Sequence, residues 1–113
     1  MKAETVIARP IIDAVNASGL AEVWRNHSGA VAVKRGYMHL SPVGAPDIVG
    51  FARDGRFVGL EVKVPKAKTE KERAEKQREY RERIIASGGI AAEITTPEEA
   101  IAVLRGALEG RAA

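Results

Sequence analysis

Between Pro46 and Val64 the chain has room for little but an antiparallel hairpin. Ile48 to Phe51 is a short apolar run, Asp54-Gly55 is a turn signal, and Phe57 to Val64 is a second extended run. Two β-prone segments joined by a glycine-containing turn pair with each other. The turn sets the register, and a one-residue slip sends every side chain to the other face. A two-residue turn at Asp54-Gly55 pairs Arg53 with Arg56 and puts Asp47 opposite Val62, pointing away from Glu61. A three-residue loop, Arg53-Asp54-Gly55 with Gly55 left-handed, pairs Ala52 with Arg56 and puts Asp47 opposite Glu61. The three-residue loop, or an equivalent bulge, is the expectation, because only that register gathers the charged side chains.

In the second run Glu61 and Lys63 are two apart, so both leave one strand face while Leu60, Val62 and Val64 leave the other. Asp47 and Glu61 offer hard oxygen ligands to a divalent cation, and Lys63 stands beside them as a point charge or proton handler. That combination suits metal-assisted phosphodiester hydrolysis. The plainer alternative makes Asp47 a strand-start residue after proline, Glu61 an exposed strand position, and Lys63 its ion-pair partner or a solvated cation.

The rest of the chain alternates helical and extended patterns. Val6, Ile7, Ile11, Ile12 and Val15 have helical spacing from about Ala3 to Asn16, and Ser18-Gly19 ends the element. Pro10 lies inside it, so either the helix bends there or it begins near Arg9. Ala21 to Asn26 and Ala30 to Arg35 read as strands, and the run to Leu40 could continue the second after a bend. Two prolines and a glycine make Ser41 to Pro46 a loop. Thr69 and Glu72 form a capping-box pattern that starts a helix at Glu70, and Gly88-Gly89 stops it. Arg73, Gln77, Tyr80 and Ile84 share one stripe of that helix. Ile90 to Ile94 is a short strand. Thr96-Pro97-Glu98-Glu99 opens a last helix carrying Ala100, Ile101, Val103, Leu104 and Leu108, and the tail after Gly106 is expected to fray. The order is that of an α/β sandwich with a mixed central sheet.

At 113 residues this is one domain, residues 1–113, with a core of Val, Ile, Leu and Ala, since aromatics make up only 4%. Absence of cysteine excludes disulfides, thiolate metal sites and cysteine nucleophiles. No apolar run approaches the roughly 20 residues of a membrane span, and the N-terminus has no signal pattern, so no membrane partner and a cytoplasmic location are expected. A net charge of +3 suits a nucleic-acid partner without requiring one.

Pro46-Asp47 followed by Glu61-Val62-Lys63 resembles the PD-(D/E)xK nuclease signature. The wider order of Glu4, Trp24-Arg25-Asn26, Gly29-Ala30, Gly44-Ala45-Pro46-Asp47-Ile48-Val49-Gly50, Gly55-Arg56-Phe57, Glu61-Val62-Lys63, Gln77 and Gly88-Gly89-Ile90 resembles the virus-type replication-repair nucleases, or VRR-NUC domains, from Glu4 to about Leu104. The resemblance implies a restriction-endonuclease-like αβββαβα sandwich. It also implies a Mg²⁺- or Mn²⁺-dependent DNA endonuclease that leaves a 5′-phosphate and a 3′-hydroxyl. Small stand-alone members resemble junction-cutting homodimers, so branched or junction DNA and a second copy are the implied partners, with a viral or prophage origin.

In that frame Asp47, Glu61 and the Val62 carbonyl are the implied metal ligands, and Lys63 stabilises charge or helps deprotonate water. Gln77 is polar on the stripe that faces the sheet, where an unpartnered amide costs on the order of 1 to 3 kcal/mol. Its family position puts it beside the attacking water or the phosphate; otherwise it is a surface residue at the stripe's edge. Glu4 resembles the family's first-helix acid, and equally a first-turn glutamate favoured by the helix dipole. Arg25, Asn26 and Ser28 resemble a backbone-contacting segment, and Lys66, Lys68 and Arg73 could hold a nucleic-acid backbone or form a solvated basic shoulder. His27 and His39 carry no site. Tyr80 is expected in the core with a hydroxyl tether. The rival class is a non-catalytic nucleic-acid-binding module that keeps the fold; clustered Asp47, Glu61 and Lys63 argue against it. A nucleotide- or tRNA-processing enzyme of similar fold differs from the first reading in substrate alone.

Overall fold

The computed structural model describes residues 3–27, 30–64 and 70–112. Along them run α1 (Ala3–Ser18), β1 (Ala21–Arg25), β2 (Ala30–Val33), β3 (Gly36–His39), β4 (Ile48–Ala52), β5 (Phe57–Val62), α2 (Lys71–Ala86), β6 (Ile90–Ile94) and α3 (Pro97–Ala112). The main sheet has the order β1-β4-β5-β6, antiparallel except for the parallel pair β5/β6, so the fold is α/β with a mixed four-stranded sheet. The expected second strand is not in that sheet. It folds back on β3 as a separate ribbon, with Lys34-Arg35 as its turn and Gly36 at φ 116°. A glycine free to take that angle closes a tight local hairpin, so the segment pairs with its neighbour instead of a distant strand.

Alternation sorts the sheet into two faces. Val23, Ile48, Val58, Leu60, Val62, Ile90 and Ile94 point to one side, where Ile11 and Val15 of α1 and Ala100, Leu104 and Leu108 of α3 bury them. Trp24, Phe51, Gly59, Glu61 and Glu93 point to the other, and α2 covers its β5/β6 half. Charged residues thus sit between the sheet and one helix.

Helix ends follow local chemistry. Helix α1 runs through Pro10 from Ala3 and does not wait for Arg9. Helix α2 begins at Lys71, with Glu70 at the N-cap and no side-chain capping bond; Thr69, the expected cap, lies outside the described residues. At its other end Gly88, at φ 93°, donates to Ile85 O at 3.0 Å and Gly89 to Ile84 O at 2.9 Å, the paired bonds of a Schellman stop. Thr96 Oγ1 accepts from Glu99 N at 3.1 Å to start α3. The Glu99 carboxylate reaches back to Thr95, accepting from its Oγ1 at 2.6 Å and its N at 3.2 Å. The expected fraying after Gly106 is corrected by the structure, where α3 continues to Ala112. Leu108 is buried in the core, and Arg56 Nη2 donates to the Ala107 carbonyl at 2.9 Å, so the last turns are anchored. Among the described residues no helix is long and apolar enough to cross a membrane.

Candidate active site

The β4–β5 turn is the three-residue loop. Gly55 has φ 93°, Gly55 N donates to Ala52 O at 2.8 Å, and Ala52 N donates to Arg56 O at 2.8 Å. Ile48 pairs with Leu60 and Phe51 with Phe57, a register that sets Asp47 against Glu61. Because Ala52 and Arg56 are a hydrogen-bonded pair, alternation makes Asp47/Glu61 a non-bonded pair, the kind whose side chains stand closest. The regular β4–β5 ladder ends at Ile48/Leu60, two residues short of Val62. The Val62 amide donates instead to Asp47 Oδ2 at 2.8 Å.

The loop before Asp47 is held from two sides. Asn26 N donates to Asp47 O at 2.8 Å, and Asn26 Nδ2 donates to Pro46 O at 3.0 Å. The Ser41 hydroxyl lies 2.9 Å from both Asn26 Oδ1 and the His27 carbonyl and donates to one at a time. From the other side, a Cβ on Gly44 (φ 88°) would lie 2.6 Å from the Lys76 carbonyl oxygen of α2. Gly59 lets Pro46 lie across β5: a Cβ there would meet Pro46 Cγ at 2.7 Å and Ile84 Cδ1 at 3.0 Å.

Helix α2 supplies the lid of the site. Gln77 is buried, its Nε2 donating to Glu61 Oε1 at 2.8 Å and its Oε1 accepting from Lys63 Nζ at 3.0 Å. The flipped amide would set NH₂ against the ammonium and oxygen against the carboxyl, so the two charged partners fix its orientation. The surface alternative for Gln77 is excluded, and its burial is satisfied within the protein. One turn on, Arg81 Nη2 is 3.0 Å from Glu93 Oε1, and Glu93 is the β6 partner of Glu61. Arg81 Nη1 is buried with no hydrogen-bond partner among the described residues.

Glu61 is only 2% exposed, and its Oε2 has no hydrogen-bond donor among the described residues. Burial first, then the Asp47 charge and a hydrogen bond shared with Asp47, push its carboxyl up to about 9; the charges of Lys63 and Arg81 oppose this. The shared bond and the orphaned oxygen are two protonation states of one arrangement. Two ionised carboxylates have no hydrogen to share, whereas a neutral Glu61 donates to its neighbour. A divalent cation would replace that proton. Asp47 and Glu61 offer hard oxygens that could hold Mg²⁺ or Mn²⁺, with the Val62 carbonyl as the third ligand that the family resemblance implies. No group of three or more His, Cys, Asp or Glu poised to hold a metal occurs among the described residues, so carbonyl and water oxygens would complete the shell.

The remaining expected residues are dispersed. Arg73 is exposed one turn before Gln77 on α2. Arg25 is half-buried at the end of β1, and the Asn26 amide is engaged by the Pro46 and Ser41 contacts. Ser28, Lys66 and Lys68 lie outside the described residues; Glu4 is on the first turn of α1, its side chain likewise outside them. Tyr80 is half-buried under the Arg83 guanidinium, 5.4 Å from the ring centroid. Arg81 and Glu93 were not among the expected site residues. The signals for them were an arginine four residues after Gln77 and a lone acid inside the apolar run Ile90–Ile94. No protein-family model matches the chain, and no curated protein matches it.

Proposed function

We propose that the chain is a metal-dependent DNA endonuclease of the VRR-NUC kind, within the PD-(D/E)xK nucleases. The observation that carries the reading is the closest-approach pairing of Asp47 with a buried Glu61 whose Oε2 has no donor among the described residues. The element order α1, β1, β4, β5, α2, β6, α3 is compatible with that fold, the β2–β3 ribbon being inserted after β1. Bound Mg²⁺ or Mn²⁺ supplies Lewis acidity and lowers the pKa of water at the phosphate.

The chain's own groups do the positioning. Val62 N orients Asp47 through Oδ2, and Gln77 orients Glu61 through Oε1, leaving Glu61 Oε2 for a ligand. Lys63, held by Gln77, places positive charge at the strand end, where it would offset charge on a phosphoryl transition state. A homodimer cutting branched or junction DNA accompanies this reading, because one small domain has one site and two strands need two.

The test compares wild-type and Lys63→Ala protein on four-way junction, flap and linear duplex DNA with Mg²⁺, Mn²⁺ or EDTA. Metal-dependent cutting that the variant loses supports the enzyme. Tight binding with no cutting by either protein supports the binding module instead.

A further inference from the structure

The β2–β3 ribbon is unaccounted for by the site. Every residue from Val31 to Met38 is exposed, Tyr37 at 75% and Met38 at 53%, and the ribbon joins no strand of the main sheet. A two-stranded hairpin of this size is marginal in water, so a surface that covers it would stabilise it. Its tip is Lys34-Arg35, both exposed, and no acid occurs from Ala30 to Leu40. Its root is tied to the site: Ser41 bonds to Asn26 and His27, and Asn26 to Pro46 and Asp47.

Two occupants suit an exposed ribbon, a second copy or a polyanion. A second copy stacked ribbon on ribbon would bring two like cationic tips into one interface. DNA matches the charge, and its major groove admits a two-stranded ribbon. From Ala30 to Lys34 extended chain spans roughly 13 Å, or about four base pairs of duplex.

We propose that the β2–β3 hairpin is a DNA-binding arm that follows the duplex beside the scissile phosphate. Lys34 and Arg35 contact phosphates about four base pairs along the duplex, and Tyr37 stacks on exposed sugar or base surface. The arm rests on the nuclease reading for its ligand. It assigns to that site a substrate with duplex on the β1 side of the cut.

The test measures binding of labelled duplex and four-way junction by fluorescence anisotropy in EDTA, from 50 to 200 mM salt, alongside single-turnover cutting with Mg²⁺ at saturating DNA. The double variant K34A/R35A should weaken binding about tenfold near 0.1 M salt and reduce the salt slope by about 1.8. Its saturated cutting rate should stay within about twofold, since the tip is remote from the reacting atoms. Tyr37→Ala should lose about fivefold or more on the junction. If wild type cuts DNA while K34A/R35A keeps its affinity and slope, the arm is wrong and the nuclease reading stands. If wild type neither binds nor cuts, both fall. If Met38→Glu turns a dimer into a monomer by sedimentation while K34A/R35A leaves the salt slope unmoved, the ribbon joins two copies and the arm is overturned.

Discussion

Asp47 faces Glu61 across a ladder position that exchanges no backbone hydrogen bonds, and that register brings two carboxyl groups together at the edge of an apolar sheet. Replacing Asp47 by Asn keeps an oxygen to accept from Val62 N while removing one negative charge. Asp47→Asn is expected to change urea stability at neutral pH by no more than about 1 kcal/mol, because the bond from Val62 N is kept while the one from neutral Glu61 loses only its charge assistance. Cation-dependent cutting should vanish. Unchanged cutting would remove Asp47 from the ligand set.

The pH dependence follows from Glu61, whose carboxyl rises from an ordinary 4.5 to about 9 in the folded protein. Between those values the folded state holds a proton that the unfolded state has lost, so stability falls as pH rises. This contribution is fully present below about 4.5 and gone above about 9. Denaturant midpoints of metal-free protein should therefore decline across that window, and Glu61→Gln should flatten the decline. Added Mg²⁺ or Mn²⁺ should stabilise more strongly at higher pH, because binding displaces the proton. A rising midpoint for the metal-free protein would contradict the assignment.

Gln77 connects Lys63 to Glu61, so an apolar replacement removes one hydrogen bond from each. Gln77→Leu is expected to cost about 1 to 3 kcal/mol in thermal or urea unfolding. Cutting should drop far more than the stability loss explains, because Glu61 loses the bond that aims it. Gln77→Glu, which keeps the acceptor for Lys63 but presents a carboxylate to Glu61, should not restore cutting.

Gly59 accommodates Pro46, and the proline carries Asp47. A methyl group there collides with a ring and with Ile84, both packed, so Gly59→Ala is expected to destabilise by about 1 to 3 kcal/mol. Displacement of Pro46 should also weaken cation affinity, measured by calorimetry. Gly55→Ala meets open space and has only its φ of 93° to overcome, so about 1 kcal/mol is expected, with the site intact.

Much of this arrangement was readable because it is local. Gly55 determined the loop, the loop determined the register, and the register put Asp47 on the same face as Glu61 and Lys63. Thr96 and Gly88 likewise marked helix ends through bonds spanning a few residues. What escaped depended on distant partners. Arg81 and Glu93 meet only because β5 and β6 pair in parallel beneath α2, a register that no turn encodes. The ribbon escaped for the opposite reason: Gly36 turns the chain back on β2 locally, where one strand running on toward Leu40 after a bend was expected. The last turns of α3 looked loose because their anchor is Arg56, which lies on a different part of the chain.

Pro46 has one further consequence. Its ring lies over Gly59 of β5, immediately before the first of the two acids. A pyrrolidine ring fixes φ there, so the entry to that acid is braced by the main chain itself and would outlast many exchanges among the side chains around it.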